Sequence, residues 1–266
     1  MVSEAYKSIK YKTPQGFKDM HKGQSVLIIG TGPSTANLVQ YKGCIKCKFG
    51  AVIGLNFATN DFEDLLDYHV ILEKNPDMAY TEMKNEPDRF RKDLPRILNW
   101  KTLDKFPQDL NIYKATRENF GFSPDIKNYE HDGKEGLLIG PQDPQGLSAG
   151  TVLLNGIHLA CIMGFSDIYI IGADLMFKSK QSDHYYKDNN FYRKGKRKKT
   201  NMSPIVTVKH DGVEYETTQF FAHSAKYIDE VIKNHCVPAG INVYDFSNGL
   251  LKEPLKIKID DFFDEE

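Results

Sequence analysis

No stretch of this 266-residue sequence approaches the ~18 uninterrupted apolar residues that a membrane-crossing helix needs, so a bilayer-spanning role is not expected. Neither sign of charge dominates: 35 Lys and Arg stand against 36 Asp and Glu, a net charge of −1. That balance removes the global field that draws a protein to nucleic acid or an anionic membrane. The first twenty residues lack the apolar core of a secretory signal, and the expected location is cytoplasmic, at most peripheral at the inner membrane face. Cysteine is scarce, at four residues: Cys44, Cys47, Cys161 and Cys236. Cys44 and Cys47 form a CxxC with no second CxxC and no His pair at zinc-finger spacing, in a polar connector rather than at a helix start after a strand. They read as ordinary reduced thiols. There is a single Trp, and no internal repeat.

What is present is ordinary for one large globular domain, or one domain with a substantial insertion: 40% hydrophobic and 27% charged residues. Four short, β-branched runs, at 26–29, 51–55, 69–72 and 168–171, read as strands buried on both faces. A fifth, at 241–244, follows a helical stretch at 225–234. The alternation predicts an α/β, Rossmann-like, doubly wound and mainly parallel sheet. Residues 85–147, rich in proline and mixed charge, read as helix-and-loop structure over one end of the sheet. Residues 176–222 are polar, aromatic and basic and break the βα rhythm, so they read as an inserted lid. The expected organisation is a nucleotide-binding part over 1–175, a lid over 176–222, and a return to the main domain over 223–266.

Ligands of such sheets collect at the carboxyl ends of the strands, which singles out Gly30–Ser34, Asn56, Glu73–Pro76 and Gly172–Asp174. The turn Gly30-Thr31-Gly32-Pro33-Ser34 closes the first apolar run. It departs from the dinucleotide fingerprint, because Thr35 stands at the third glycine position and Asn56 where an acidic ribose ligand belongs. No Lys-Ser/Thr follows it, which excludes a Walker A loop. A turn offering backbone N–H groups and a helix N-terminus to the phosphate of another nucleotide is favoured over a purely structural bend. Asn56 and Asn75 carry neutral amides able to read a base or ribose, or to close their strands by capping. Thr151 introduces the most apolar helical stretch, 152–163, as an N-cap or as a ligand-facing hydroxyl. His158 within that stretch reads as a core histidine.

Asp174 follows the strand IYIIG, where carboxylates bind metals, orient bases or cap turns. His184 lies ten residues on, in the lid. His223 ends the lid, where an imidazole, whose ordinary pKa lies near 6.5, suits a general base on an acceptor hydroxyl, or else caps the following helix or packs the lid. Tyr185 and Tyr186 follow His184 in the same aromatic stretch. The basic run 193–199 reads as a solvated loop.

Taken in order, VLIIGTGPS (26–34), GLNFA (54–58), Asn75-Pro76, GTVLLNGIHLACIMGFSDIYIIGADL (150–175), AHS (222–224) and GINVYDFSNGLL (240–251) resemble a family. The sequence is similar to the sialyltransferase-like glycosyltransferases of the Campylobacter lipooligosaccharide type, and to the related motility accessory factors and 6-hydroxymethylpterin diphosphokinase-like proteins. The resemblance implies a lid closing over a CMP-linked nonulosonic acid, no metal and no cofactor beyond the donor. It places Gly30, Gly32 and Ser34 at the nucleotide turn, Asn56 and Asn75 on the cytidine and phosphate, Thr151 facing the nucleotide, and His223 as the base. Ala149 stands where the sialyltransferases carry an arginine, and Met176 where they place a phosphate-binding tyrosine, so the resemblance leaves Tyr185 or Tyr186 to supply a lid tyrosine. These departures put CMP-sialic acid itself in question and leave a related activated sugar open, while the expected activity stays transfer of a nonulosonic, sialic-acid-like sugar from a CMP donor to a hydroxyl of a glycan or protein, in a chain that is a candidate homo-oligomer. Two other readings keep the fold: a Mg²⁺-dependent diphosphokinase using ATP, with Asp174 on the metal, and a non-catalytic nucleotide-binding protein.

Overall fold

The computed structural model describes residues 14–71, 91–99, 111–115, 151–177 and 204–264. Eight strands form one sheet in the order β10-β9-β6-β1-β2-β3-β4-β5. They are β1 (Ser25–Ile29), β2 (Ala51–Leu55), β3 (Tyr68–Ile71), β4 (Arg96–Asn99), β5 (Ile112–Ala115), β6 (Asp167–Ile171), β9 (Asn242–Asp245) and β10 (Leu255–Lys256). Every pairing between them is parallel. The remaining two, β7 (Ile205–His210) and β8 (Val213–Thr218), make a separate antiparallel hairpin. The expected α/β, Rossmann-like sheet is present.

The central strands are apolar at successive positions because both faces of a parallel sheet are covered. In β1, Val26 and Ile28 face one layer while Leu27 and Ile29 face the other. The first layer holds the helices α1 (Val152–Ile162) and α2 (Gln219–Val231). The second holds Leu38, Ile45, Phe49 and Phe62 together with α3 (Ile259–Asp264). Tyr41 stacks on Phe263 of α3 at 4.5 Å and donates to Asp260, so the C-terminal helix is tied to the connector after β1.

One expectation is corrected. The proline-rich stretch 85–147 contributes two sheet strands, β4 and β5, among its described residues. Arg96 opens β4 fully buried because Glu63 neutralises it at 2.7 Å and the carbonyl of Leu94 accepts from it at 3.2 Å. The part of the expected lid at 204–218 is an ordered hairpin, turned by Asp211 (φ 51°) and Gly212 (φ 79°). Positive φ at both central positions is the two-residue turn that suits strand twist. The helix after the glycine turn, Pro33–Tyr41, is 3₁₀ in type.

His69 on β3 and His158 on α1 are buried, and loss of hydration pushes both imidazoles down to about 3; for His69 the neighbouring Arg96 charge adds to the effect. The folded state therefore refuses protons that the unfolded chain takes up below about pH 6.5. Stability should fall as pH drops from about 6.5 towards 3, and be unaffected by these groups above that range. Melting temperatures between pH 7.5 and 4.5 check this. His158→Leu should flatten the slope, and an equal slope in that variant would count against it.

Candidate functional site at the carboxyl edge of the sheet

β1 lies where the strand order reverses. The chain leaving β1 goes to β2 on one side, and the chain leaving β6 continues to β9 on the other. The carboxyl ends of β1 and β6 thus flank the crevice in which open α/β sheets take ligands. Gly30–Ser34 leaves the first and Gly172–Asp174 the second, and the two turns are packed backbone to backbone. Gly30 N–H donates to Ile171 O at 2.7 Å and Gly32 N–H to Gly172 O at 2.9 Å. A Cβ on Gly30 would stand 2.5 Å from Gly172 O, and one on Gly32 would overlap the Asp174 carboxylate. The glycines here serve close approach between two turns.

The donors expected for a phosphate are largely spent inside the fold. Ser34 N–H and Ser34 Oγ–H both donate to Asp174 Oδ2, at 3.1 and 2.7 Å, and Ser34 Oγ accepts from Gly172 N–H at 3.0 Å. Thr35 N–H donates to Gly32 O and Thr35 Oγ1 to Gly30 O. Pro33 has no N–H. Asp174, 1% exposed, therefore gives the turn an internal acceptor where the sequence reading placed an external anion. A third turn closes on the other side: Leu250 N–H donates to Asp174 O at 3.1 Å, and Ser247 Oγ accepts from Ala173 N–H at 2.9 Å.

Two further candidates converge on this edge. Asn56 follows β2 directly, with φ 47°, and its carbonyl accepts from His69 Nε2 at 2.6 Å. Asn56 Oδ1 is buried and has no hydrogen-bond partner. Thr151 caps α1, its Oγ1 accepting from Leu153 N–H at 3.2 Å. α1 ends beside the start of β1, where Gly23 N–H reaches Gly164 O, so its first turn lies at the opposite, carboxyl edge. Gly156 packs on Ile28 and Leu55, near the ends of β1 and β2. Thr151 precedes it by five residues, about 7 Å along the helix axis towards Asn56 and the Gly30 turn. The bonded cap leaves the threonine hydroxyl proton available to another acceptor.

α2 likewise begins at this edge before returning to β9. Thr218 caps it, accepting from Phe221 N–H at 3.1 Å. The hairpin that precedes it is fastened to the segment after Asp174: Thr217 Oγ1 donates to Leu175 O at 2.6 Å, and Phe177 N–H to Glu216 O at 2.9 Å. His223 sits in the second turn of α2, exposed, with no hydrogen bond or ion pair to the described residues. Thr31, between the two glycines, is half-buried. Asn75, His184, Tyr185 and Tyr186 lie outside the described residues. Among the described residues no group of three or more His, Cys, Asp or Glu is placed to hold a metal.

Sequence reasoning missed His69 and the Ser247–Leu250 turn. A histidine inside a short apolar strand carries no visible sign of its partner. The Ser-Asn-Gly turn signal at 247–249 was legible, but not its seat beneath Asp174.

No protein-family model matches this chain, and no curated protein does. Among solved structures, it is similar to the MAf glycosyltransferase from Magnetospirillum magneticum AMB-1, at a TM-score of 0.57 and 17% sequence identity. The likeness is one of fold. It covers 92% of this chain and 37% of that one, so the chain spans well under half of the MAf protein's length. No helix among the described residues is long and apolar enough to cross a membrane.

Proposed function

We propose that this chain is a glycosyltransferase that moves a nonulosonic, sialic-acid-like sugar from a CMP donor to a hydroxyl of a glycan or protein. The observation that carries the reading is the convergence of Gly30–Ser34, Asn56 and the first turns of α1 and α2 on one sheet edge, in a fold shared with a MAf glycosyltransferase. In this reading the cytidine lies against Asn56. The donor phosphate takes hydrogen bonds from the Thr31 and Thr151 hydroxyls at the rim of the turn, while Asp174 holds the turn itself in shape. The acceptor oxygen attacks the anomeric carbon as the bond from that carbon to the phosphate oxygen breaks. The electron pair leaves with CMP, and His223 takes the acceptor's proton. Positive charge at the sugar ring and negative charge on the departing phosphate make donors aimed at that phosphate the main source of stabilisation. Asn75, His184, Tyr185 and Tyr186, outside the described residues, remain donor-ligand candidates of this reading on the sequence alone.

Replacing His223 with alanine should lower transfer about 10²–10⁴-fold, the usual worth of a general base, and leave CMP affinity unchanged. Turnover at the wild-type rate in that variant rejects the assignment. A thermal-shift screen with CMP, CDP, UDP, GDP, ADP and ATP, with and without Mg²⁺, tests the donor. A ligand present at 100 times its Kd adds about 2.7 kcal/mol. The rival diphosphokinase reading needs Asp174 on Mg²⁺. One of its oxygens already accepts two hydrogen bonds from Ser34, which favours the structural role. Preference for ATP, abolished by EDTA, would reverse that judgement.

A further inference from the structure

Asn56 carries two features that an ordinary strand end does not require. Its backbone is left-handed at φ 47°, a conformation asparagine tolerates better than most residues but which still needs support. Its side-chain oxygen is buried without a hydrogen-bond donor, a state that native proteins rarely leave unanswered. The support for the backbone is visible. His69 Nε2 lies 2.6 Å from the Asn56 carbonyl, and since a carbonyl only accepts, the imidazole carries its proton on Nε2. Burial, with Arg96 beside it, keeps that ring neutral, and of the two neutral tautomers the bond to the carbonyl selects the Nε2–H form. His69 is itself fixed in register between Gly54 of β2 and Arg96 of β4, and its own N–H donates to Pro95 O at 2.9 Å. Arg96 is held in turn by Glu63.

We propose that His69 is a positioning residue of the carboxyl edge: its Nε2–H bond to the Asn56 carbonyl holds Asn56 left-handed, so that the unsatisfied Oδ1 is presented to a hydroxyl or amino group of the ligand. The inference rests on the reading above that this edge takes a nucleotide, whose ribose hydroxyls and exocyclic amines are donors of that kind. His69 touches no reacting atom and acts only through Asn56. Its neutrality matters because a protonated ring would bring a second cation beside Arg96.

The test compares wild-type protein with His69→Leu and His69→Gln. Glutamine carries an N–H donor at about the distance of Nε2, and leucine carries none. Affinities for CMP, UMP, AMP and GMP are measured by calorimetry, alongside near-UV circular dichroism for the packed state. The leucine variant should bind the preferred nucleotide at least tenfold more weakly, with glutamine restoring affinity to within about threefold. A merely structural histidine would make affinity follow melting temperature and ignore the donor. A folded leucine variant that binds as wild type, or a folded glutamine variant that fails to rescue, overturns the proposal. Preference for a purine nucleotide would refute the cytidine donor but leave His69 testable with that ligand. Nitrogen-15 NMR of the free wild-type protein needs no variant and no ligand: it should show His69 protonated at Nε2 and unchanged from pH 8 to 5. Protonation at Nδ1 instead overturns the bond outright.

Discussion

Gly172→Ala is expected to remove more than about 3 kcal/mol of stability, or to leave no folded protein. Gly172 sits at φ 76°, in the left-handed region, and an added Cβ would overlap the Thr35 hydroxyl. The same methyl would stand 2.7 Å from the Gly30 carbonyl carbon and 2.8 Å from its oxygen. The threonine could rotate at the expense of its bond to Gly30, but the Gly30 backbone is held by its own hydrogen bond to Ile171. The two turns would have to separate, breaking the Gly32–Gly172 and Ser34–Gly172 bonds together. Gly240 supplies the control. It has nearly the same φ, 74°, but open space around its Cβ position. Gly240→Ala should therefore show the backbone penalty alone, about 1–2 kcal/mol. Urea denaturation of both variants separates the terms. Equal losses would mean that the contact between the turns carries no strain on substitution.

Glu63→Ala should cost about 3–5 kcal/mol, because it leaves the Arg96 guanidinium, 0% exposed, without its counter-charge. Glu63 Oε1 accepts from Arg96 at 2.7 Å and from Arg91 N–H at 2.7 Å, so one oxygen joins β4 and the segment before it to the connector between β2 and β3. Burial, with the Arg91 charge adding to it, pulls the Arg96 pKa down, and the Glu63 charge is the largest influence opposing it, ahead of Asp93. Glu63→Gln keeps an acceptor and should lose less. The double replacement Glu63→Leu with Arg96→Met removes both charges and should recover most of the loss, since the pair itself is of small net worth once both desolvation costs are gone. Non-additivity measured in a double-mutant cycle checks this. Additive losses would show that Arg96 is stabilised by something other than Glu63. If the single variant also lowers nucleotide affinity, the path runs through His69, the register neighbour of Arg96.

The strands at the centre of the sheet were legible because each is apolar at consecutive positions, and only burial on both faces tolerates that pattern. β4 escaped because its first residue is an arginine, and charge at a short strand's start reads as loop unless its partner is known. That partner, Glu63, is 33 positions away. The hairpin at 205–218 was readable in principle: Asp211-Gly212 between alternating strands is a strong local turn signal, masked by the basic and aromatic residues that precede it.

The sequence by itself determined the fold class, five of the six inner strands, including both sides of the switch point, and the location of the candidate edge, because these depend on local apolar runs and the turns that end them. Only the tertiary structure decided what the glycine turn binds. Ser34 and Asp174 are 140 residues apart, and no local pattern shows that a serine's two donors will be claimed by a carboxylate from a neighbouring strand end. The same holds for His69 and Asn56, whose bond exists only because β2 and β3 lie side by side. Hydrogen bonds across a parallel sheet join residues that the chain keeps apart, and it is those bonds that set which groups at the edge remain for a ligand.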